Sequence, residues 1–194
     1  MKSVLRPKII MLLILSAILI LPVPAQIGFY EGYIVTNLDD TLTGQVGKNE
    51  SRHIIKNCIL KQDGKSVEYY PADFKRFGYF DGPTYVSNVL KDTIVQVLVE
   101  GKLNLYKVQT TLYLSKENEK AAKLENYTEK AVRNGELYYV ESVKWKGILT
   151  YMTSDCSPDK KVIDKLKLRE AEITDFVVNY NKCSNSEYIL HKSR

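Results

Sequence analysis

The chain has 194 residues, and its 28 basic and 23 acidic side chains give a formal net charge of +5. Charged residues make up 26% of the chain and fourteen residues are tyrosine, which is typical of a folded protein and excludes a disordered one. Three of the basic residues, Lys2, Arg6 and Lys8, lie before an apolar run near the N-terminus. Without these three, 25 basic residues remain against 23 acidic ones, which gives a net charge of +2. Because nucleic-acid binding needs a clustered basic face, we expect no nucleic-acid partner.

The first 25 residues have the pattern of a signal peptide. A basic segment precedes the apolar run from Ile9 to Leu21, Pro22 ends that run, and small residues follow up to Ala25. The run is too short for a transmembrane helix, which needs about 20 residues. We therefore predict cleavage after Ala25 rather than an uncleaved anchor, and export to the periplasm or the cell surface. No second long apolar run follows, so we expect no transmembrane span in residues 26–194.

From Tyr30 to about Val140 the sequence is typical of short strands joined by tight turns. Asp63-Gly64 predicts a hairpin turn, because both residues tolerate a positive φ. Asp39-Asp40 also predicts a turn, which we favour over a catalytic carboxylate pair. The predicted strands include residues 53–61, 66–70, 74–80, 84–91 and 103–114.

Two segments leave the choice between helix and strand open at first. Residues 94–101 fit a short helix with Asp92 as N-cap, but their β-branched side chains favour a strand, and the sequence does not decide between them. In residues 116–134, a Glu119–Lys123 pair would support a helix. Asn134-Gly135 is typical of a type I′ hairpin, and there we favour the hairpin.

From Lys144 onward the apolar periodicity becomes helical. Two sets of side chains follow the i, i+3, i+4, i+7 spacing of one helix face, and we expect the two helices to pack together. A short helical piece is expected at residues 159–166, and Glu170 begins the last helix. The two sets are Trp145, Ile148, Leu149 and Met152, and Ile173, Phe176, Val177 and Tyr180.

The three cysteines have different expected roles. Cys156 and Cys183 each follow one of the predicted helices, and an exported chain enters a compartment where disulfides persist. We favour a Cys156–Cys183 disulfide, worth about 3 kcal/mol by chain entropy, over two buried free thiols. Cys58 lies in a predicted strand five residues after His53, which puts the two on opposite faces. We therefore expect Cys58 to be buried and inert instead of a reactive thiol.

Together these elements predict an α+β fold. An antiparallel β-rich body, either a sandwich or a partly open barrel, is followed by a C-terminal helical pair at about residues 144–183. We expect residues 26–194 to form a single domain, since the sequence contains no internal Pro- or Ser-rich linker.

Three pairs of short motifs follow one another along the chain. The pairs are Gly32–Val35 with Asp40–Gly44, Val97–Lys102 with Leu105-Tyr106, and Ser154-Asp155-Cys156 with Tyr180-Asn181-Lys182-Cys183. In this order they resemble a family of uncharacterised exported proteins of Bacteroidota-type bacteria. The resemblance covers most of residues 26–194 and implies a cell-envelope location, but no particular activity. It also supports the pairing of Cys156 with Cys183.

Residues suited to catalysis or metal binding are scarce in this sequence. His53 and His191 are the only histidines, and there is no CxxC, HExxH, GxSxG or phosphate-loop motif, so we expect no metal, no cofactor and no catalytic residues. We expect His191 to be solvated in a frayed tail. Tyr69-Tyr70 and Tyr138-Tyr139 suit stacking on sugars or peptides, although we favour ordinary half-buried strand positions for them.

The leading hypothesis is a non-catalytic exported module of the cell envelope that binds an envelope protein or a glycan, or has a structural role. The alternatives are an exported carboxylate-based hydrolase and a soluble subunit that docks on an outer-membrane assembly. A deep pocket lined by acids without countercharges would favour the hydrolase. A broad exposed apolar or aromatic face would favour binding or docking.

Overall fold

The computed structural model describes residues 28–51, 54–117, 119–156 and 160–193. The predicted signal peptide, residues 1–25, and His53 lie outside these ranges.

Antiparallel strands form most of the described chain, which confirms the predicted fold class. Ten strands follow one another across a sheet in the order β10-β9-β8-β7-β6-β5-β1-β2-β3-β4, β13 pairs with β7, and β11 and β12 form a separate two-stranded sheet. The strands are β1 (Tyr30–Thr36), β2 (Thr41–Ser51), β3 (Ile54–Gln62), β4 (Lys65–Tyr69), β5 (Phe74–Tyr79), β6 (Thr84–Leu90), β7 (Thr93–Glu100), β8 (Leu103–Val108), β9 (Thr111–Lys116), β10 (Ala122–Leu124), β11 (Tyr127–Arg133), β12 (Glu136–Ser142) and β13 (Ile189–Leu190).

The large sheet curls on itself. β3 contacts β7 although four strands separate them in the sheet order, and within the described ranges the curl does not close into a barrel. The arrangement is therefore one curled sheet and not two stacked sheets. Apolar side chains fill the curl, with Phe77 stacked on Tyr85 at 4.8 Å between ring centroids. This first core contains Ile34, Val46, Ile55, Cys58, Leu60, Phe74, Phe77, Tyr79, Tyr85 and Ile94.

The tight turns lie where the sequence predicts them. Asp63 and Gly64, with φ of 50° and 75°, connect β3 to β4. Asn134 and Gly135, with φ of 54° and 82°, connect β11 to β12, which confirms the favoured hairpin. Asp39, with φ of 68°, lies in the turn between β1 and β2, where the sequence predicts a turn.

The segment left open at residues 94–101 is a strand. β7 pairs with β6 on one side and with β8 on the other, and Asp92, with φ of 52°, occupies the turn before it instead of capping a helix. Ile94, Val95 and Val97 are buried. Their β-branched side chains fit a buried strand better than a helix, so side-chain shape outweighs the capping signal.

Three helices cover the other end of the sheet: α1 (Lys144–Met152), α2 (Lys160–Lys165) and α3 (Glu170–Cys183). The predicted apolar faces of α1 and α3 belong to one second core together with side chains of β7 to β10. However, α1 packs mainly against α2 and β10, and α3 packs mainly against β7 and β8. The helices therefore cover the sheet, and α1 and α3, which the sequence expects to pack together, share this second core. In the described part of the chain no helix has both the length and the apolar character required to span a membrane.

Candidate functional sites

The predicted cysteine pair lies where the helical region joins the sheet. A 3₁₀ turn at Ser154–Cys156 follows α1, and its Cys156 meets Cys183 at the end of α3 with the sulfur atoms at disulfide-bonding distance. The two Cα atoms are 6.1 Å apart and 27 residues apart in sequence, which fits ordinary disulfide geometry. The bridge closes the whole α2–α3 segment into one loop.

The neighbours of these cysteines in the SDC and YNxC motifs hold the same junction. The Asp155 carboxylate lies 2.8 Å from the ammonium group of Lys102 and 2.7 Å from that of Lys116. It also accepts a hydrogen bond of 2.8 Å from the hydroxyl of Tyr180. The hydrogen bonds from Lys102 and Lys116 lower the pKa of Asp155 below its usual range, so the carboxylate stays charged.

Asn181 connects α3 to the beginning of β8. Its Oδ1 accepts a hydrogen bond from the backbone N–H of Leu103 and its Nδ2 donates to the carbonyl of Leu103, both at 2.9 Å. Asn181 is fully buried, and a Cβ on Gly101 would come within 2.8 Å of its Nδ2. Asp155, Tyr180 and Asn181 therefore have a structural role: they fix the helices on the sheet.

Cys58 is buried and inert, as expected. Its side chain is inaccessible to solvent in the first core, and burial raises the pKa of its thiol to about 12. A thiol with such a pKa is protonated at neutral pH and does not act as a nucleophile. His53 lies outside the described residues.

The expectation of a solvated His191 is wrong. The imidazole is only 10% exposed, and its Nε2 lies 3.2 Å from the carboxylate of Glu100. The backbone N–H of His191 donates to the carbonyl of Leu98, and the preceding β13 pairs with β7. Arg76 contacts the same carboxylate at 2.5 Å. The hydrogen bond to His191 and the Arg76 guanidinium lower the pKa of Glu100 to about 2, although burial opposes them.

A group of exposed apolar side chains belongs to β11, β12 and their turn, residues 127–142, which we call the arm. Five large apolar side chains of the arm are between 46% and 72% exposed. The register places the Val132–Leu137 and Lys130–Tyr139 pairs on the same face. At the base of the arm, Lys144 contacts Glu129 at 2.7 Å. The five exposed side chains are Val132, Leu137, Tyr138, Tyr139 and Val140.

The arm shows that the favoured interpretation of the tyrosines holds only in part. Tyr69 is partly buried against the first core, as a half-buried strand residue is, whereas Tyr70 is 53% exposed. Tyr138 and Tyr139 are also exposed, because in the described part of the chain the strands of the arm pair only with each other and no core lies under either face. The alternation of a half-buried strand and the pattern of an exposed hairpin differ too little for the sequence to separate them.

A cleft of about 460 Å³ opens beside the first core, between β2–β3 and β6–β8. Tyr85 pairs with Gln96, and Gln96 pairs with Lys107, so these three side chains share one face of the sheet. Nε2 of Gln96 is buried and has no hydrogen-bond partner within the described ranges. The cleft is lined by the polar side chains of Lys48, Glu50, Gln96 and Lys107 over the apolar Ile55, Ile94, Tyr85 and Val108.

The charges in the cleft have near partners. Lys48 lies 2.6 Å from Glu50, and Lys107 lies 2.6 Å from Glu170 at the beginning of α3. The ammonium group of Lys48 also lies 5.3 Å from the centre of the Tyr85 ring. Burial is the largest single effect and lowers the pKa of Lys48, but the contacts with Glu50 and Tyr85 together outweigh it and leave that pKa raised, so Lys48 is charged at neutral pH.

Gln96, Lys48 and Lys107 do not appear among the residues that the sequence singles out, because no local motif connects three separate strands. Across the described chain, no group of three or more His, Cys, Asp and Glu side chains is arranged to hold a metal ion. A scan of protein-family models gives no match, and neither a search of curated proteins nor a search of solved structures gives a significant one.

Proposed function

We propose that this chain is an exported, non-catalytic binding module of the cell envelope, and that it docks on another envelope protein through the arm. One observation carries the proposal: five large apolar side chains of the arm are between 46% and 72% exposed, and neither core of the described residues contains a residue of the arm. Contiguous exposed apolar surface on a folded protein marks interaction sites.

The stability of the arm supports the same proposal. A two-stranded hairpin alone is at best marginally stable in water. Its base makes the Lys144–Glu129 ion pair, and the Lys144 ammonium lies 4.8 Å from the centre of the Tyr127 ring, but both contacts are near the surface. Burying the exposed half of a Val or Leu side chain is worth about 1 kcal/mol. A partner that covers the arm would therefore supply the stabilisation that the body of the protein does not.

A protein surface suits the arm better than a glycan does. Sugars are best held by aromatic rings that present a flat face, whereas Tyr138 and Tyr139 are adjacent in β12 and point to opposite sides of the hairpin. On the face of Tyr139 the neighbouring side chains include the aliphatic Val132 and Leu137, with Lys130 directly opposite the tyrosine. The two aliphatic side chains make apolar contacts and offer nothing to sugar hydroxyl groups.

The pairing of carboxylates supports binding over hydrolysis. Glu50, Glu100, Asp155 and Glu170 each lie within 3 Å of a lysine or arginine nitrogen. A general acid needs a raised pKa, whereas cationic partners favour the ionised carboxylate. The pKa values of Glu100 and Asp155 are indeed lowered.

The envelope location rests on two further points. Residues 1–25 have the pattern of a signal peptide, and the Cys156–Cys183 bridge is of the kind that persists in oxidising compartments. The motif resemblance described above points to the same location.

The test is affinity capture from envelope fractions after the full chain is expressed with its leader. A photo-crosslinking residue at Tyr139 should yield a defined adduct with one envelope protein, while the same residue at Tyr151, exposed on α1, should not. The double variant Val132→Thr with Leu137→Thr should lose this adduct, since it removes apolar surface but keeps residues compatible with strands.

The matched control is Leu38→Thr with Val67→Thr, which makes the same chemical changes at two exposed positions outside the arm. This control should keep the adduct. Equal adducts from both double variants, a glycan as the captured species, or an intact N-terminus by mass spectrometry would each contradict the proposal.

A further inference from the structure

The cleft contains a hydrogen-bond donor without an acceptor. Among the described residues, three buried side-chain polar atoms lack a partner, and of these only Nε2 of Gln96 belongs to the cleft lining. Buried donors in native proteins are nearly always satisfied, and the exceptions are expected where a ligand supplies the missing acceptor. An oxygen atom of a ligand held in the cleft would satisfy Gln96.

The charges of the cleft lining favour an anionic acceptor. Two ammonium groups, those of Lys48 and Lys107, line the cleft together with a single carboxylate, that of Glu50. Glu170, the ion-pair partner of Lys107, is not part of the lining. A carboxylate placed in the cleft can accept from Gln96 and face both lysines, which a neutral hydroxyl or carbonyl does less favourably.

The floor of the cleft favours an apolar body on the same ligand. Ile55, Ile94 and Val108 line it, and the volume of about 460 Å³ lies in the range of small-molecule sites. Tyr85 is only 4% exposed, with Phe77 stacked on its ring and the Lys48 ammonium close to it. Its ring is therefore not a free platform for a sugar.

We propose that the cleft binds a small carboxylate with an apolar body, the chemistry of a short acyl chain, with Gln96 donating to the carboxylate and Lys48 and Lys107 facing it. This site lies on β2, β3 and β6 to β8 and shares no residue with the arm. A negative result for ligand binding in the cleft would therefore leave the docking proposal standing, and a negative result for docking would leave the cleft proposal standing.

The experiment titrates the protein, purified after expression of the full chain, with octanoate by isothermal calorimetry. Octanol, acetate and maltotriose are titrated in parallel, because they lack the carboxylate, the apolar body and both features, respectively. Octanoate should bind saturably with one site per chain. Gln96→Leu should weaken this binding by about tenfold or more, since it removes the donor at nearly constant volume.

The control variant is Gln45→Leu, at an exposed position of β2, which should bind octanoate as the unchanged protein does. Gln96→Glu provides a second variant, and its carboxylate should also weaken octanoate binding by charge repulsion. Circular dichroism checks that all three variants are folded. The proposal is overturned if octanoate does not saturate, if octanol binds as tightly, if maltotriose binds instead, or if Gln96→Leu and Gln45→Leu behave alike.

Discussion

Asn181→Leu should strongly destabilise the protein, because this one side chain satisfies two buried backbone groups. Its amide bonds both the N–H and the carbonyl of Leu103 at 2.9 Å, across a sequence separation of 78 residues. Leucine has a similar volume and creates little cavity. The change therefore isolates the loss of the two hydrogen bonds that fix α3 on β8.

The size of the effect follows from the two groups that lose their partners. A buried donor or acceptor left unsatisfied costs about 1–3 kcal/mol, so two of them should lower the free energy of unfolding by about 4 kcal/mol. Asn179→Leu, at an exposed position of the same helix, is the matched control, and it should change stability by about 0.5 kcal/mol or less.

The assay is urea denaturation followed by far-UV circular dichroism, with the disulfide intact in every sample. The urea midpoint should fall sharply for Asn181→Leu, with an unchanged slope, and stay near its original value for Asn179→Leu. If Asn181→Leu costs less than about 1 kcal/mol more than the control, the amide does not hold the junction and the structural interpretation of the YNxC motif fails.

Three further predictions concern the cysteines and Glu100. Replacing both Cys156 and Cys183 by alanine should lower the free energy of unfolding by about 3.5 kcal/mol, because the unfolded chain gains the entropy of an open loop of 27 residues. Urea denaturation measures this change, and an unchanged free energy of unfolding would refute the prediction. The pKa of Glu100 falls from 4.5 to about 2, mainly through the hydrogen bond with His191. The ionised Glu100 therefore stabilises the folded state fully above about pH 4.5, and this contribution is lost as the pH falls toward 2. Glu100→Gln should flatten the pH dependence of unfolding in that window. The buried Cys58 should resist iodoacetamide in the native protein at about pH 8 and react only after unfolding, as mass spectrometry can measure.

The parts of the fold that the sequence predicts well have local signals. Asp63-Gly64 and Asn134-Gly135 need a positive φ, which few residue pairs adopt, so they identify their turns within two positions. The apolar faces of α1 and α3 repeat at helical spacing over a single turn or two. Each of these features is determined by residues close together in the chain.

The parts that escape prediction depend on distant residues. His191 contacts Glu100 across 91 positions, so nothing near the C-terminus indicates that β13 adds to the sheet. The row of Tyr85, Gln96 and Lys107 exists only through the register of β6, β7 and β8, and that register shifts on both sides of β7. Without that register, the face on which Gln96 lies is unknown.

The distribution of satisfied and unsatisfied groups separates structural residues from candidate functional ones. The carboxylates of Asp155 and Glu100 and the amide of Asn181 have ion-pair or hydrogen-bond partners within the fold, so a structural role explains why these residues are polar. The exposed apolar side chains of the arm and Nε2 of Gln96, which has no partner among the described residues, are not explained in this way. Folded proteins break the rules of burial and pairing mainly where function requires it. We therefore expect variants of the arm and of the cleft to change binding while leaving the free energy of unfolding nearly unchanged.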